Sequence, residues 1–227
     1  MPRLPPAARR AGPEVTTNDP RPSRASAARL SLYLRCLEGW ERDGRPTASS
    51  RDLAEALGIG DAQVRKDLAY LGGLGRRGVG YRVPQVIAGI RTALGIDREW
   101  RAVLVGAGNL ARALLRYRGF PEGGFHIVGL FDADPRKVGQ RAEGLEVWPM
   151  RDLGGRVREL EAELGIIAVP SEAAREVGEQ LAAAGVRGVL NFAPAVLRLP
   201  ATIPVVNVDL TIQLEQLAFQ VESGRSG

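Results

Sequence analysis

Cysteine and histidine are nearly absent from this chain: one of each occurs in 227 residues. Cys36 therefore has no partner for an intramolecular disulfide, and with His126 it cannot furnish the ligands of a conventional zinc site, so no metal is expected. No run of eighteen or more apolar residues is present, and the N-terminus lacks the apolar core of a signal peptide. Membrane insertion and export are thus not expected, and a cytoplasmic protein is. Lysine is scarce as well, with Lys66 and Lys137 the only two.

Arginine takes its place, unevenly. Residues 1–82 hold 15 Lys or Arg against 9 Asp or Glu, while residues 83–227 hold 16 against 17, so the whole excess behind the formal +5 lies in the first third. Clustered cations displace the condensed counterions of nucleic acid, which makes a polyanion the expected partner of that part. Genome composition also raises arginine, so the asymmetry alone leaves a solvated basic face open. Apolar residues make up 44 % of the chain, enough for buried cores, and the length suits two modest domains.

Pro2, Pro5, Pro6, Pro13, Pro20 and Pro22 break the first stretch, which has few large apolar groups; residues 1–24 read as a disordered basic tail. A helical stripe follows in Leu30, Leu34, Leu37 and Trp40, ending near Asp43-Gly44. A second helix, Ser50 to Leu57, begins at a serine cap and stops at Gly58. After the short turn Gly58-Ile59-Gly60 a third runs from Asp61, which can cap the free amides, to Leu71. In it Val64, Leu68 and Leu71 form the inward seam, leaving Gln63, Arg65, Lys66 and Tyr70 off it. Two helices joined by a tight glycine turn, with polar and cationic groups on the second, make a helix-turn-helix, whose second helix enters the major groove. Val79, Tyr81 and Val83 then alternate as a short strand. Gly75 to Gly78 can form a hairpin tip carrying Arg76 and Arg77, a wing suited to the minor groove. Residues 25–83 are thus expected to form a winged-helix DNA-binding domain, and residues 84–100 a linker helix with Pro84 in its first turn.

From there the pattern changes. Apolar runs of strand length (Ala102 to Val105, Ile127 to Phe131, Gly165 to Val169, Gly188 to Phe192, Val205 to Val208) alternate with helical segments over residues 101–207. That is the signature of a mostly parallel sheet with helices on both faces, an α/β fold. The first run leads into Gly106-Ala107-Gly108-Asn109-Leu110-Ala111 and then a helix, Arg112 to Tyr117. This matches G-x-G-x-x-G/A in its strand-turn-helix setting. Gly106 permits the tight turn, Gly108 lets a pyrophosphate approach the backbone, and Ala111 keeps helix and strand close. Asp132 ends the next strand, where a carboxylate accepts both ribose hydroxyls and repels a 2′-phosphate. NADH or NAD+ is therefore expected, although Arg136 and Lys137 just beyond could serve a phosphate.

A Rossmann domain makes a dehydrogenase the rival reading. There is no Tyr-x-x-x-Lys, His126 precedes the second strand far from a nicotinamide, and little chain remains for a substrate domain, so no catalytic residue is assigned. A nucleotide-dependent protein-binding module is a third alternative. The last segment, Asp209 to Val221, is an amphipathic helix with Leu210, Leu214, Leu217 and Val221 in one stripe. That stripe can cover its own sheet or a partner subunit.

Over roughly residues 25–222 the chain resembles the Rex family of redox-sensing repressors. The matching segments are QVRKDLAYLG and GRRGVGY in the head, VGAGNLA, FDADPRKVG, NFAP at Asn191 to Pro194, and NVDL before the terminal helix. The resemblance implies a homodimer that binds a palindromic operator when free or with NAD+ and releases it with NADH. It also implies that residues 208–227 form a dimerisation helix swapped between subunits, and that Arg35, Tyr117 and Asp209 of the opposite subunit make a switchable polar network. Expected cofactor contacts are Gly106 to Ala111 and Asp132, with Val169 and Pro170 at the end of the third run and Asn191, Phe192 and Ala193 at the end of the fourth. In the head, Arg65 and Lys66 are expected in the major groove and Arg77 in the minor groove, with Gln63, Tyr70 and Arg76 alongside.

Overall fold

Ser23 and Ser49 set where the first two helices begin: the Ser23 hydroxyl accepts the Ser26 N–H, and Ser49 forms a reciprocal capping box with Asp52. The computed structural model describes residues 22–72, 75–76 and 80–224, so the tail expected over 1–24 lies almost wholly outside the described residues. The chain divides between Gly95 and Ile96.

The first unit runs α1 (Arg24–Arg42), β1 (Thr47–Ala48), α2 (Ser50–Leu57), α3 (Asp61–Ala69), β2 (Gly75–Arg76), β3 (Gly80–Arg82) and α4 (Val83–Leu94). Gly58, in the left-handed conformation, ends α2 and turns the chain into α3. The three short strands form one antiparallel sheet in the order β1-β3-β2. Gly80 is required there, because its φ is +83° and a Cβ would meet the Ala48 carbonyl oxygen at 2.6 Å. Leu30, Leu34 and Leu37 of the α1 stripe are buried as expected, and Tyr33 joins them; Val64 and Leu68 of α3, Leu53 of α2 and Val86 and Ile90 of α4 complete the core.

Four details of this unit differ from the sequence reading. Asp61 makes no cap for α3; Gly60 stands at that position, and Asp61 instead pairs with Arg65 one turn on at 2.8 Å. Val83 is the first residue of α4, not a strand residue. Gly75 and Arg76, expected at the hairpin tip, are strand residues paired with Tyr81 and Gly80. The helix expected as a linker packs Val83, Val86, Ile87 and Ile90 into the core beside α1 and ends at the left-handed Gly95, with Arg91 reaching Glu38 of α1 at 2.7 Å.

The second unit runs β4 (Trp100–Val105), α5 (Asn109–Arg116), α6 (Gly119–Glu122), β5 (Phe125–Asp132), β6 (Arg141–Ala142), β7 (Leu145–Pro149), α7 (Leu153–Glu159), β8 (Leu164–Ile167), α8 (Ser171–Ala184), β9 (Gly188–Asn191), β10 (Val205–Asn207) and α9 (Leu210–Gly224). Its sheet has the order β10-β9-β8-β4-β5-β7-β6, parallel throughout except for β6 against β7. Without the short edge strand β6, this is the doubly wound order of a dinucleotide-binding fold, whose direction reverses at the first strand, here β4. Val103, Val105, Phe131 and Ile167 face one helix layer, and Leu104, Leu130 and Ile166 face the other.

The expected helix Arg112 to Tyr117 begins earlier, at Asn109 inside the glycine motif, and leaves Tyr117 as its C-terminal cap. His126 lies within β5 rather than before it, half-exposed, 3.6 Å from Glu99. No residue of α9 is buried: Leu210, Leu214, Leu217 and Val221 are 70, 66, 56 and 50 % exposed. The stripe therefore does not cover its own sheet. Among the described residues no helix is long and apolar enough to cross a membrane.

Candidate functional site: the glycine turn and the helix-turn-helix

β4 and β5 run side by side and deliver the glycine turn and Asp132 to the same end of the sheet. The turn starts at Gly106, whose N–H donates to the Phe131 carbonyl at 2.7 Å. Gly106 has φ +101°, and a Cβ there would meet the Ala168 carbonyl oxygen at 2.3 Å and Val169 Cγ1 at 3.0 Å. The turn is thus drawn against the segment after β8, which ends at Ile167 and leaves Val169 and Pro170 in the connection to α8. Nothing lies within 4 Å of a Cβ placed on Gly108, so that position is open to a ligand.

α5 starts directly after Gly108. No side chain caps its first amides, and no acid stands in its first turn. Its positive end is therefore left for an anion. Asn109 and Leu110 are exposed beside it, and Ala111 is buried against the sheet as the third position of the fingerprint requires.

Asp132 is buried, with one carboxylate oxygen accepting the Ala107 N–H at 2.7 Å and the Lys137 ammonium at 2.9 Å, and the other the Asp134 N–H at 2.8 Å. Burial alone would raise this carboxyl; the hydrogen bonds from Lys137, Asp134 and Ala107 outweigh it and hold it below the usual carboxylate range. Arg136 clasps Asp134 with two nitrogens, at 3.0 and 2.9 Å, and holds that carboxyl at about 2. Both cations set aside for a 2′-phosphate are thus engaged by the two acids.

Asn191, expected at the cofactor, is held within its own loop. It is fully buried, and its amide nitrogen donates to the Ala193 and Ala195 carbonyls and to Asn207 while its oxygen accepts the Ala193 N–H. Its side-chain nitrogen and oxygen are both engaged within the protein and shape the loop carrying the half-buried Phe192 and the buried Ala193.

Of the three residues expected in the switch, Arg35 is exposed on α1 in the first unit. Tyr117 is 52 % exposed in the second, its ring edge-on to Phe120 at 5.2 Å and lying over Gly119, where a Cβ would come within 2.5 Å of it. Asp209 accepts the Thr211 and Ile212 N–H groups at 2.9 and 3.4 Å and so starts α9.

In the head, Lys66 and Tyr70 are exposed on α3 as expected. Arg65 is exposed but paired with Asp61, and Gln63 is half-buried with its amide nitrogen 3.1 Å from Asp67. Arg76 is a strand residue of the hairpin, and Arg77 lies outside the described residues. Asp67 went unnoticed in the sequence. It stands between the inward Val64 and Leu68, is fully buried, and takes a two-nitrogen clasp from Arg29 at 2.6 and 2.8 Å and the Tyr33 hydroxyl at 3.0 Å. Its signal was available: an acid beside the seam of one helix needs a buried partner, and the first helix offers Arg29 and Tyr33 one turn apart.

Comparison with known proteins agrees with this division. A family model described as "Putative DNA-binding protein N-terminus" matches residues 23–69, and one described as "CoA binding domain" matches residues 97–195. The redox-sensing transcriptional repressor Rex of Carboxydothermus hydrogenoformans is 50 % identical over 87 % of this chain and 95 % of its own. That of Desulforamulus reducens is 47 % identical over 87 % and 94 %. Among solved structures, RSP in complex with beta-NAD+ and operator DNA superposes with a TM-score of 0.84 at 30 % identity, covering 90 % of this chain and 94 % of RSP. RSP in complex with beta-NADH gives 0.82 at 29 % identity, covering 90 % and 96 %.

Proposed function

The chain belongs to the Rex family of redox-sensing transcriptional repressors, and we propose from that premise that it is itself a repressor, binding operator DNA through its head and NADH or NAD+ at the glycine turn. It is a regulator, as its relatives are named, and not the oxidoreductase of the rival reading. The observation that carries the reading is the pairing, in one chain, of a helix-turn-helix head with an open Gly108 beside the buried Asp132.

The site suits NAD(H). The uncapped start of α5 and the bare Gly108 would receive the pyrophosphate, and Asp132 would accept the ribose hydroxyls. A ribose phosphate, as in NADPH or coenzyme A, would meet that carboxylate with Lys137 and Arg136 already engaged. Asn109, Leu110, Val169, Pro170, Phe192 and Ala193 would line the site. NAD+ brings a cationic nicotinamide ring and NADH a neutral one; Arg35, Tyr117 and Asp209 of the opposite subunit would read that difference, since only differential contacts shift an equilibrium.

The working form is a homodimer acting in the cytoplasm on a palindromic operator. Its support is the exposed stripe of α9, where Leu210, Leu214, Leu217 and Val221 would each gain roughly 1.5–3 kcal/mol on full burial against a second copy. In the head, Arg65, Lys66, Gln63 and Tyr70 would face the major groove and Arg76 and Arg77 the minor groove, so Arg65 must leave or share its pair with Asp61. Residues 25–83 with the helix that follows act as the DNA-binding domain, 101–207 as the cofactor domain and 208–227 as the dimerisation segment.

The test is reciprocal binding by one preparation. If NADH and duplex DNA compete through one conformational equilibrium, saturating operator must weaken NADH by the same factor by which NADH weakens operator. Independent binding of the two contradicts the proposal.

A further inference from the structure

Among the described residues of the first unit, Asp67 is the only buried charged side chain. It belongs to the proposed recognition helix but turns inward, and α1 grips it with Arg29 and Tyr33. A buried carboxylate with both oxygens engaged has little freedom to rotate. A further group at this carboxylate is the amide nitrogen of Gln63, which reaches it from the preceding turn of α3 at 3.1 Å.

That contact fixes more than a distance. A carboxylate accepts hydrogen bonds and donates none, so the end of the Gln63 amide that faces it must be the nitrogen. The amide oxygen and the second N–H are left without a partner among the described residues. A glutamine free to turn offers donor and acceptor in either order and distinguishes base edges poorly. One held in a single sense offers one order only.

We propose that Asp67 is a positioning residue for sequence readout: clamped by Arg29 and Tyr33, it holds the Gln63 amide in one sense, acceptor and remaining donor together, for the edge of one base. Adenine is the base that matches, with its N6 amino group as donor and N7 as acceptor in the major groove. The proposal rests on the DNA-binding reading of the head. Asp67 itself need not touch DNA.

The experiment selects duplexes from a pool of randomised palindromic DNA with the full chain, in parallel for the unaltered protein, Gln63→Met, Asp67→Asn and the double variant. An asparagine at 67 can either donate or accept, so both senses of Gln63 become available. The unaltered protein is expected to prefer adenine at one position in each half-site, by on the order of tenfold or more over other bases. Gln63→Met abolishes that preference. Asp67→Asn reduces it severalfold at the same position while leaving the relative preferences elsewhere intact, and adds nothing in the Gln63→Met background. Uniform weakening across all positions in Asp67→Asn would show a merely structural role and overturn the proposal. If Asp67→Asn does not fold, Gln63→Met decides: an unchanged preference everywhere overturns the proposal, and loss at one position upholds it. Failure of the unaltered protein to select any sequence would instead remove the DNA-binding reading beneath it.

Discussion

The carboxylate of Asp132 holds the backbone N–H of Ala107 at 2.7 Å, so the acid that ends β5 and the glycine turn that follows the neighbouring β4 are joined beside the point where the strand order reverses. The acid proposed to recognise ribose is thus also a fastening of the phosphate turn. Its removal should act on both ends of a dinucleotide.

Asp132→Ala should weaken NADH binding more than tenfold, since hydrogen bonds to a charged group contribute about 1.5–3 kcal/mol each and two ribose hydroxyls are served. Titration of dihydronicotinamide fluorescence measures it. The unaltered protein should bind NADPH and coenzyme A far more weakly than NADH; equal affinities would remove the role given to Asp132.

Gly106 and Gly108 should fail differently when replaced by alanine. At Gly106 the new methyl meets the Ala168 carbonyl at 2.3 Å in a left-handed backbone, so Gly106→Ala should lower Tm and NADH affinity together. At Gly108 it meets nothing within 4 Å, so Gly108→Ala should leave Tm of the free protein unchanged and lower NADH affinity alone. Melting curves with and without NADH separate the two.

The head should carry a titration signature from Tyr33 and Asp67. Burial and the hydrogen bond to Asp67 push the Tyr33 hydroxyl up from 10.0 to about 12, so its contribution to stability is complete below pH 10 and is lost as pH rises through about 12. Burial would raise the Asp67 carboxyl, yet Arg29 and Tyr33 hold it below its ordinary 3.8, so its contribution is complete above that pH and is lost as pH falls through the lower folded value. Melting temperature against pH should show both limbs. Tyr33→Phe should abolish the alkaline limb and keep the acid one, whereas Asp67→Asn should abolish the acid limb and only reduce the alkaline one, because burial of the Tyr33 hydroxyl persists.

Asp209 has a second duty at the start of α9, accepting two backbone N–H groups. Asp209→Ala should therefore cost about 0.5–2 kcal/mol of helix capping as well as any redox coupling. Asp209→Asn keeps a capping oxygen without the charge, and should preserve Tm while abolishing the NADH effect on DNA affinity. Retained coupling in Asp209→Asn would take Asp209 out of the switch.

The parts legible in the sequence were those where one residue type answers one local demand. Gly106 and Gly108 before a helix, Asp132 at a strand end, a serine at the start of α2 and Gly58 after it each correspond to a single backbone or ligand requirement. The parts missed depend on chain brought together from afar. β7, with Glu146 and Trp148 beside Val147, has no clear apolar run and becomes a strand only by pairing with β5. Val83 alternates with Tyr81 yet continues into α4, because Pro84 suits a first helical turn. Asn191 was named from the family resemblance alone; that its amide binds Ala193, Ala195 and Asn207 is set by a loop and a strand that the sequence does not show together. Asp67 was not singled out, because its partners lie 38 and 34 residues earlier.

On the proposed function, the redox state of the bound nucleotide sets the affinity of the head for DNA. Its most direct measurement is fluorescence anisotropy of a labelled palindromic duplex, drawn from the selected pool, titrated with the full chain in the absence of cofactor, with NAD+ and with NADH at one salt concentration. Similar tight binding is expected in the first two, with weakening by on the order of a hundredfold with NADH, a coupling of about 3 kcal/mol. Equal affinity in all three states would contradict it.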